Sequence, residues 1–201
     1  MTITYELGQS LYLNITNRCA NACSFCLRNN TDVVGQSDSL WLEREPSLEE
    51  ICADIDRRDL SSYDSVVFCG FGEPLERLDD VIAAARYIKK KEDIPVRLNT
   101  NGLSDLMYER PTAKELAGVI DTVSISLNAP TPEEYNEICN SRFGFVALPA
   151  VLAFAKDCTK YVPEVVLSVV DSIGPEKVEQ CRVLTVQTGA RFRVRTYVEG
   201  Y

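Results

Sequence analysis

Short apolar runs recur along this chain and alternate with longer stretches of helical character. Runs rich in Val, Ile and Leu are typical of strands that are buried in a parallel sheet. Because strands and helices alternate, we predict repeated βα units with right-handed crossovers. The predicted strands are Leu11–Thr16, Ser65–Gly70, Val96–Asn99, Thr122–Leu127, Glu164–Val169 and Arg191–Thr196.

Several of the intervening helices carry recognisable start signals. A hydroxyl residue followed three positions later by an acid predicts a capped helix start, and a proline in the first turn strengthens it. The predicted starts are Ser47 with Glu50, Thr112 with Glu115, Thr131 with Pro132 and Glu134, and Pro175 after Gly174.

Six such units in 201 residues are too few for a closed eight-unit barrel, which typically needs ~250 residues. We therefore predict an α/β fold, a partial (βα)6 barrel that is open on one side, as a single domain over residues 1–201. Its site is expected at the carboxyl ends of the strands.

Polar side chains alternate with apolar ones on several strands, and they predict the inner face of the barrel. An alternative is that they only satisfy strand ends. These inward positions are Tyr12, Asn14 and Thr16 on the first strand, Arg97, Asn99 and Asn101 on the third, and Ser124, Ser126 and Asn128 on the fourth.

Composition excludes some functions. The formal net charge of −9 argues against a nucleic-acid partner, because such proteins need a basic face. No apolar run reaches membrane length, so no membrane partner is expected. There is no histidine, which removes the commonest general base. Eight cysteines without a secretory segment predict a reducing, cytoplasmic location.

The most informative motif is the C-x3-C-x2-C spacing of Cys19, Cys23 and Cys26. Three thiolates on one loop suit three irons of a [4Fe–4S] cluster and leave the fourth iron open to a small molecule. A buried helical stripe is disfavoured by the surrounding asparagines. Structural zinc is the stronger alternative, with Cys52 or Cys69 as fourth ligand.

A second motif follows the second predicted strand, in the run Cys69-Gly70-Phe71-Gly72-Glu73-Pro74-Leu75. Glycines let the backbone approach a ligand, and Pro74 fixes the turn. Glu73 and the exposed carbonyls are expected to accept hydrogen bonds from an ammonium group. A plain turn between strand and helix is the alternative.

Together the two motifs resemble those of radical S-adenosylmethionine (SAM) enzymes. The resemblance implies a [4Fe–4S] cluster on Cys19, Cys23 and Cys26, and SAM cleaved reductively to a 5′-deoxyadenosyl radical. Phe71 stands where that superfamily usually has glycine. The implied SAM-binding residues are Phe25, Gly70, Gly72, Glu73, Pro74, Asn99, Asn101, Ser126 and Asn128.

The sixth strand carries Arg191, Arg193 and Arg195 on one face. Inward guanidinium groups need anions, because an unpaired buried charge is costly. Arg195 and Arg193 are therefore candidates for binding a substrate or the SAM carboxylate. Internal pairing with Glu73 or Asp171 is the alternative.

Three functions are weighed. The first is a radical SAM enzyme that abstracts hydrogen from a small molecule, the second an activase-like enzyme acting on a protein or peptide, and the third a non-catalytic zinc or iron–sulfur protein. The chain is most similar to short radical SAM proteins associated with TatD-type hydrolases. That resemblance implies an electron donor such as a flavodoxin or ferredoxin, and a TatD-type hydrolase as a partner.

Two further features are left with open roles. The polar segment 27–45 is expected either to cover the cluster or to form a mobile surface loop. The other cysteines are predicted to be small buried hydrophobes. They are Cys52, Cys69, Cys139, Cys158 and Cys181.

Overall fold

A computed structural model describes residues 1–196. It contains one seven-stranded sheet, in which the spatial order of the strands follows the chain. The first pair is antiparallel and all later pairs are parallel. The strands are β1 Thr4–Leu7, β2 Ser10–Leu13, β3 Ser65–Phe68, β4 Val96–Thr100, β5 Thr122–Ser126, β6 Glu164–Val170 and β7 Arg191–Arg195.

All six predicted strands are present, and β1 is the strand that sequence reasoning missed. It forms a hairpin with β2 through a turn at Gly8, whose φ of +61° suits glycine. Its signal was faint because Thr4–Leu7 has only four residues and ends in two exposed ones. The hairpin adds an antiparallel strand to the edge of the parallel sheet.

Helices pack on one face of the sheet. The start signals at Ser47, Thr131 and Pro175 are confirmed, since Ser47 and Thr131 accept hydrogen bonds from the third helical residue and Pro175 is the first residue of its helix. The helices are α1 Leu48–Asp56, α2 Leu78–Lys91, α3 Ser104–Tyr108, α4 Pro132–Cys139, α5 Ala147–Cys158 and α6 Pro175–Val186.

The predicted start at Thr112 is wrong. Only a short 3-10 turn, Ala113–Leu116, follows it, and Thr112 makes no side-chain cap. Its hydroxyl lies 2.8 Å from Asp105 Oδ1, which also accepts the Thr112 N–H. The Asp105 carboxylate, on α3, therefore accepts the backbone N–H of Thr112 that Glu115 would accept in a capping box.

The barrel is partial, as predicted. β1 and β7 are the two ends of the strand order, and no pairing joins them within residues 1–196. The outer face of the sheet is apolar and packs on helices through residues such as Phe68, Leu98 and Ile125. The inner face carries the polar side chains. No helix in the described part of the chain is long and apolar enough to cross a membrane.

The segment 27–45 lies against the first edge of the barrel. Val34 and Leu40 are buried with Tyr5 and Phe71 in a small apolar cluster. Asn14, which was expected to face the site, instead donates through Nδ2 to Leu40 O at 2.7 Å. Thr16 likewise donates to Glu45 Oε1 at 2.6 Å. Asn14 and Thr16, which follow β2, thus hold this segment through side-chain hydrogen bonds.

Candidate functional site

A cavity of about 220 Å³ opens at the carboxyl ends of the strands, and we call it the cysteine cavity. It brings together most of the predicted site residues. The predicted residues that line it are Cys19, Cys23, Phe25, Gly72, Glu73, Pro74, Asn99, Asn101, Ser126, Asn128, Arg193 and Arg195. Gly70 and Cys26 are not among its lining residues. Sequence reasoning missed Asn21, Thr100 and Ser168 as site residues, and all three line the cavity.

The cysteines lie on an irregular loop, residues 17–26, which we call the cysteine loop. The loop pairs with the end of α4. Ala22 N donates to Cys139 O at 2.9 Å, and Ser24 N donates to Ile138 O at 3.0 Å. Because residues 19–26 form no helix, the helical-stripe alternative is wrong. Backbone hydrogen bonds to the end of α4 thus fix the conformation of the cysteine loop.

Arg28 fastens the other side of the cysteine loop. Its guanidinium donates to Asn17 O at 3.3 Å, to Asn21 O at 3.4 Å and to Phe71 O at 3.4 Å. It therefore joins this loop to the turn after β3. Its positive charge also lowers the pKa of the three loop thiols. Sequence reasoning missed this residue, although its place two residues after Cys26 was a signal.

Burial affects the pKa of these thiols more than the charge of Arg28 does. It raises the pKa of Cys19 to about 12, helped by the nearby Glu73 carboxylate. Burial also raises the pKa of Cys26. The pKa of Cys23 is raised by a hydrogen bond with Cys139 and then by burial. The free thiols are thus protonated near neutral pH, and metal binding must displace their protons.

Cys139 is buried, as predicted, but it is more than a core residue. It contacts the Cys23 thiol, and that hydrogen bond lowers the pKa of Cys139. Asn128 Nδ2 also donates to Cys139 Sγ, at 3.3 Å. One turn earlier on α4, Tyr135 Oη accepts from Asn21 Nδ2 at 3.2 Å. The spacing of Tyr135 and Cys139 places both on the helix face behind the cysteine loop.

Glu73 is buried and already well bonded. Its carboxylate accepts from Thr100 Oγ1 at 2.7 Å, from Asn101 N at 2.7 Å and from Leu75 N at 3.0 Å. Burial raises its pKa to about 7 even though these donors lower it. A carboxylate offers about four lone-pair sites. Glu73 therefore ties the turn to β4 and keeps little capacity for a ligand.

The glycines of this turn allow close packing on the chain that leads from β2 into the cysteine loop. A Cβ on Gly72 would lie 2.3 Å from Thr16 O and 2.6 Å from Arg18 O. A Cβ on Gly70 would lie 2.1 Å from Asn14 Oδ1. The Glu73 N–H donates to Arg18 O at 2.7 Å. The absence of a Cβ at both glycines thus lets this turn approach residues 14–18 closely.

Buried polar atoms without partners mark where a ligand belongs. Asn21 Oδ1, Asn99 Oδ1, Asn128 Oδ1 and Arg195 Nε have no hydrogen-bond partner. Native proteins seldom leave such atoms unpaired. Asn128 also has a left-handed φ of +63°, a conformation that clusters at functional sites. Three acceptors and one cationic donor suit a ligand with amine, hydroxyl and carboxylate groups, as SAM has.

Two of the three arginines of β7, Arg193 and Arg195, are not paired with Glu73. Arg193 Nη2 donates to Ser124 Oγ at 3.2 Å. Burial, and then the charge of Arg193, lower the pKa of Arg195. Among the ion pairs of residues 1–196, none joins either arginine to the Glu73 carboxylate. Both guanidinium groups are directed to the barrel interior.

The three loop thiols do not surround a single point. In the described part of the chain, no group of three or more Cys, Asp or Glu side chains is arranged to hold one metal ion. In a [4Fe–4S] cube each thiolate binds a different iron, so the ligands stand farther apart. Cys52, a proposed fourth zinc ligand, lies on α1. Cys69 lines the cavity.

Comparison with known families gives one match over most of the chain. The profile of the radical SAM superfamily matches residues 13–185. Among solved structures, a radical SAM methyltransferase from Sphaerobacter thermophilus is similar, with a TM-score of 0.59 and 15% identity. The match covers 96% of this chain and 68% of that one. At that identity the similarity concerns the fold alone.

Curated relatives are similar over a shorter range. A dual-specificity RNA methyltransferase RlmN of Pseudomonas entomophila is 34% identical over 60% of this chain and 32% of its own. A probable RNA methyltransferase of Sorangium cellulosum is 29% identical over 68% of this chain and 34% of its own. The chain spans about a third of the length of these relatives. None of these matches bears on the TatD-associated subtype, which stays a prediction.

Proposed function

Because the chain belongs to the radical SAM superfamily, whose members use a [4Fe–4S] cluster and SAM, we propose that it directs a 5′-deoxyadenosyl radical at a small molecule. When bound and reduced, the cluster supplies the electron that splits SAM to give this radical. A flavodoxin or ferredoxin would deliver that electron. The radical would then abstract a hydrogen atom from the substrate.

The observation that carries this proposal is the convergence of both motifs in the cysteine cavity. Cys19, Cys23 and Cys26 would ligate three irons of the cluster. Cys19 and Cys23 line the same cavity as the Gly72–Pro74 turn, at the carboxyl ends of the strands. Two of the three thiols and the turn proposed to bind the amine therefore face the same cavity.

The turn would bind the SAM amine mainly through its backbone. The Glu73 carboxylate has three donors already, so the carbonyls of Gly72 and Glu73 are the better acceptors. Pro74 fixes this turn, while Gly70 lets it pack on Asn14 and Gly72 lets it pack on Thr16 and Arg18. The Asn101 backbone N–H donates a hydrogen bond to the Glu73 carboxylate, and Asn101 Oδ1 accepts one from Leu103 N at 2.9 Å.

The remaining cavity residues would hold the rest of SAM. Asn99 and Asn128 present unpartnered oxygens to hydroxyl or amine donors. Ser126 lies on the adjacent stretch of β5. Phe25 is half-buried at the cavity wall and would contact the adenine ring. Arg195 would pair with a carboxylate.

Anaerobic reconstitution tests the proposal. We expect about four irons per chain, and formation of 5′-deoxyadenosine from SAM with dithionite. Cys23→Ala should abolish both cluster and cleavage. Cys52→Ala is the matched control, because this half-buried cysteine lies on α1, and it should keep both. Zinc in place of iron, or cleavage retained by Cys23→Ala, would refute the assignment.

Methyl transfer to RNA is a second candidate, favoured by the names of the curated relatives. The sequence-based expectation of no nucleic-acid partner gains no support from them. Methyl-labelled SAM separates the two candidates. Label recovered in RNA would establish the second candidate. Deuterium passing from a small molecule into 5′-deoxyadenosine would establish the first. A TatD-type hydrolase that co-purifies and alters SAM cleavage would support that predicted partner.

A further inference from the structure

A second, larger cavity adjoins the cysteine cavity inside the open barrel. Its volume is about 560 Å³, and we call it the arginine cavity. The two cavities share Cys69, Asn99, Arg193 and Arg195 among their lining residues. A ligand in the arginine cavity would therefore lie next to the place assigned to SAM. Its volume is within the range of small-molecule sites.

Three guanidinium groups line this cavity, from Arg97, Arg193 and Arg195. Arg97 Nη2 donates to Tyr12 Oη at 3.1 Å, while its buried Nε has no partner. The buried Nε of Arg195 also has none. Among the ion pairs within residues 1–196, none includes these three arginines.

The guanidinium groups converge on common neighbours. Arg97 and Arg195 both act electrostatically on the Cys69 thiol. Arg97 and Arg193 both act on the Tyr12 hydroxyl. The three arginines come from separate strands, because Arg97 belongs to β4 and the other two to β7. Positive charge is thus concentrated across one space.

The ion pairs of residues 1–196 give this positive charge no carboxylate partner. Two acids line the cavities of the described barrel interior, and both have partners. Glu164 pairs with Arg191 and accepts from Thr122 Oγ1. Glu73 is held by its three donors. Arg97 and Arg195 are half-buried, and a desolvated cation is costly without an anion, so an anionic ligand would supply the compensating charge.

The opposite wall of the arginine cavity is apolar. It is built by Tyr5, Val34, Leu40 and Phe71, the cluster that segment 27–45 completes. The rings of Tyr5 and Tyr12 lie 5.2 Å apart, centre to centre. The cavity therefore presents cations on one side and aromatic and aliphatic surface on the other.

We propose that the substrate is a small molecule with an apolar or aromatic body and an anionic group, a carboxylate or phosphate, which Arg97 and Arg193 bind. This inference rests on the proposed function, since it names the substrate class of that same site. Arginine suits both anions because its planar donors bind oxygens in pairs. The net charge of −9 disfavours a polyanion such as RNA.

Calorimetric titration of the anaerobic holoenzyme with benzoate and with phenyl phosphate tests the proposal. At least one should bind, and the stronger identifies carboxylate or phosphate. Benzamide, which is neutral, should bind at least tenfold more weakly. Arg97→Gln and Arg193→Gln should each weaken anion binding about tenfold, as loss of a charge-assisted bond does. Arg57→Gln, at the exposed position that follows α1, should leave anion binding unchanged.

The outcomes separate the two proposals. No binding of either anion, or equal binding by all variants, would overturn the substrate class while SAM cleavage by the wild type still supports the proposed function. Anion binding that depends on Arg97, without any 5′-deoxyadenosine, would overturn the proposed function alone. An RNA hairpin that binds tenfold more tightly than either anion would overturn the small-molecule class. Arg193→Gln, at an exposed position, keeps the test valid if Arg97→Gln fails to fold.

Discussion

Gly72 is a residue at which one added carbon should disturb the whole site. A Cβ there would meet two backbone oxygens of residues 16 and 18, which belong to the approach and start of the cysteine loop. Gly72→Ala is expected to lower the free energy of unfolding by about 3 kcal/mol and to reduce iron uptake. Chemical denaturation and iron analysis measure the two effects.

Gly118→Ala is the control for that change. Its φ is +73°, but a Cβ there meets nothing within 4 Å. Gly118→Ala should lower the free energy of unfolding by about 1 kcal/mol, from backbone strain alone. It should leave iron uptake unchanged. Equal effects of the two variants on iron would show that Gly72 does not shape the site.

Glu73 gives the apoprotein a pH dependence of definite sign. Burial raises its pKa from 4.5 to about 7, so the folded state binds this proton more tightly than the unfolded state. The contribution of protonated Glu73 to the free energy of unfolding is therefore fully present below pH 4.5 and is lost as the pH rises towards 7. Glu73→Gln should remove this loss. The difference in unfolding free energy between wild type and variant, measured across that range, should fall with pH; a difference that rises with pH would contradict the assigned shift.

For single residues, the sequence predicted most of the side chains that line the cysteine cavity. It did not predict which of them contact one another. Strand parity correctly brought Asn99, Ser126 and Asn128 to one cavity, because alternation fixes which face a strand residue occupies. It could not reveal that Cys139 touches Cys23 or that Arg28 holds two loops. Those contacts join separate elements, and their relative placement is set by packing.

Among the elements, α4 supports the cysteine loop most directly. The carbonyls at its end accept hydrogen bonds from residues 22 and 24, and Asn140 ends it with a left-handed φ of 42°. Asparagine tolerates this conformation, whereas a β-branched residue does not. Asn140→Val is therefore expected to cost about 2 kcal/mol and to lower the iron content after reconstitution.

Glu109→Val is the matched comparison, because Glu109 ends α3 with a similar φ of 53°. It should lower the melting temperature by a similar amount while iron content stays at the wild-type value. If both variants lose iron equally, the effect reflects general instability rather than support of the loop.

The elements were predicted where local chemistry decides them. Alternating and apolar runs predicted all six strands that pair in parallel, and Ser47 and Thr131 are real caps. β1 was missed because four residues with two exposed carry little pattern. The start at Thr112 failed because Asp105, from the preceding helix, captured its donors. Tertiary partners thus overrode a local signal.

For the whole molecule, the proposed cluster should stabilise the fold by fixing the cysteine loop. This loop contacts the turn after β3 through Arg28 and the end of α4 through backbone hydrogen bonds. A group that binds only the folded state stabilises it by mass action. Reconstitution should raise the melting temperature by about 5 °C or more. Anaerobic circular dichroism measures this, and Cys23→Ala, treated identically, should show no rise.

The open barrel also leaves β7 as an edge strand with unpaired backbone groups on one side, within the described residues. Such edges invite sheet-to-sheet polymerisation between copies of a protein. Every second residue of β7 is an arginine, at positions 191, 193 and 195. Two copies meeting edge to edge would bring these like charges together. Arg193 and Arg195, which line the arginine cavity, would thereby also oppose edge-to-edge aggregation.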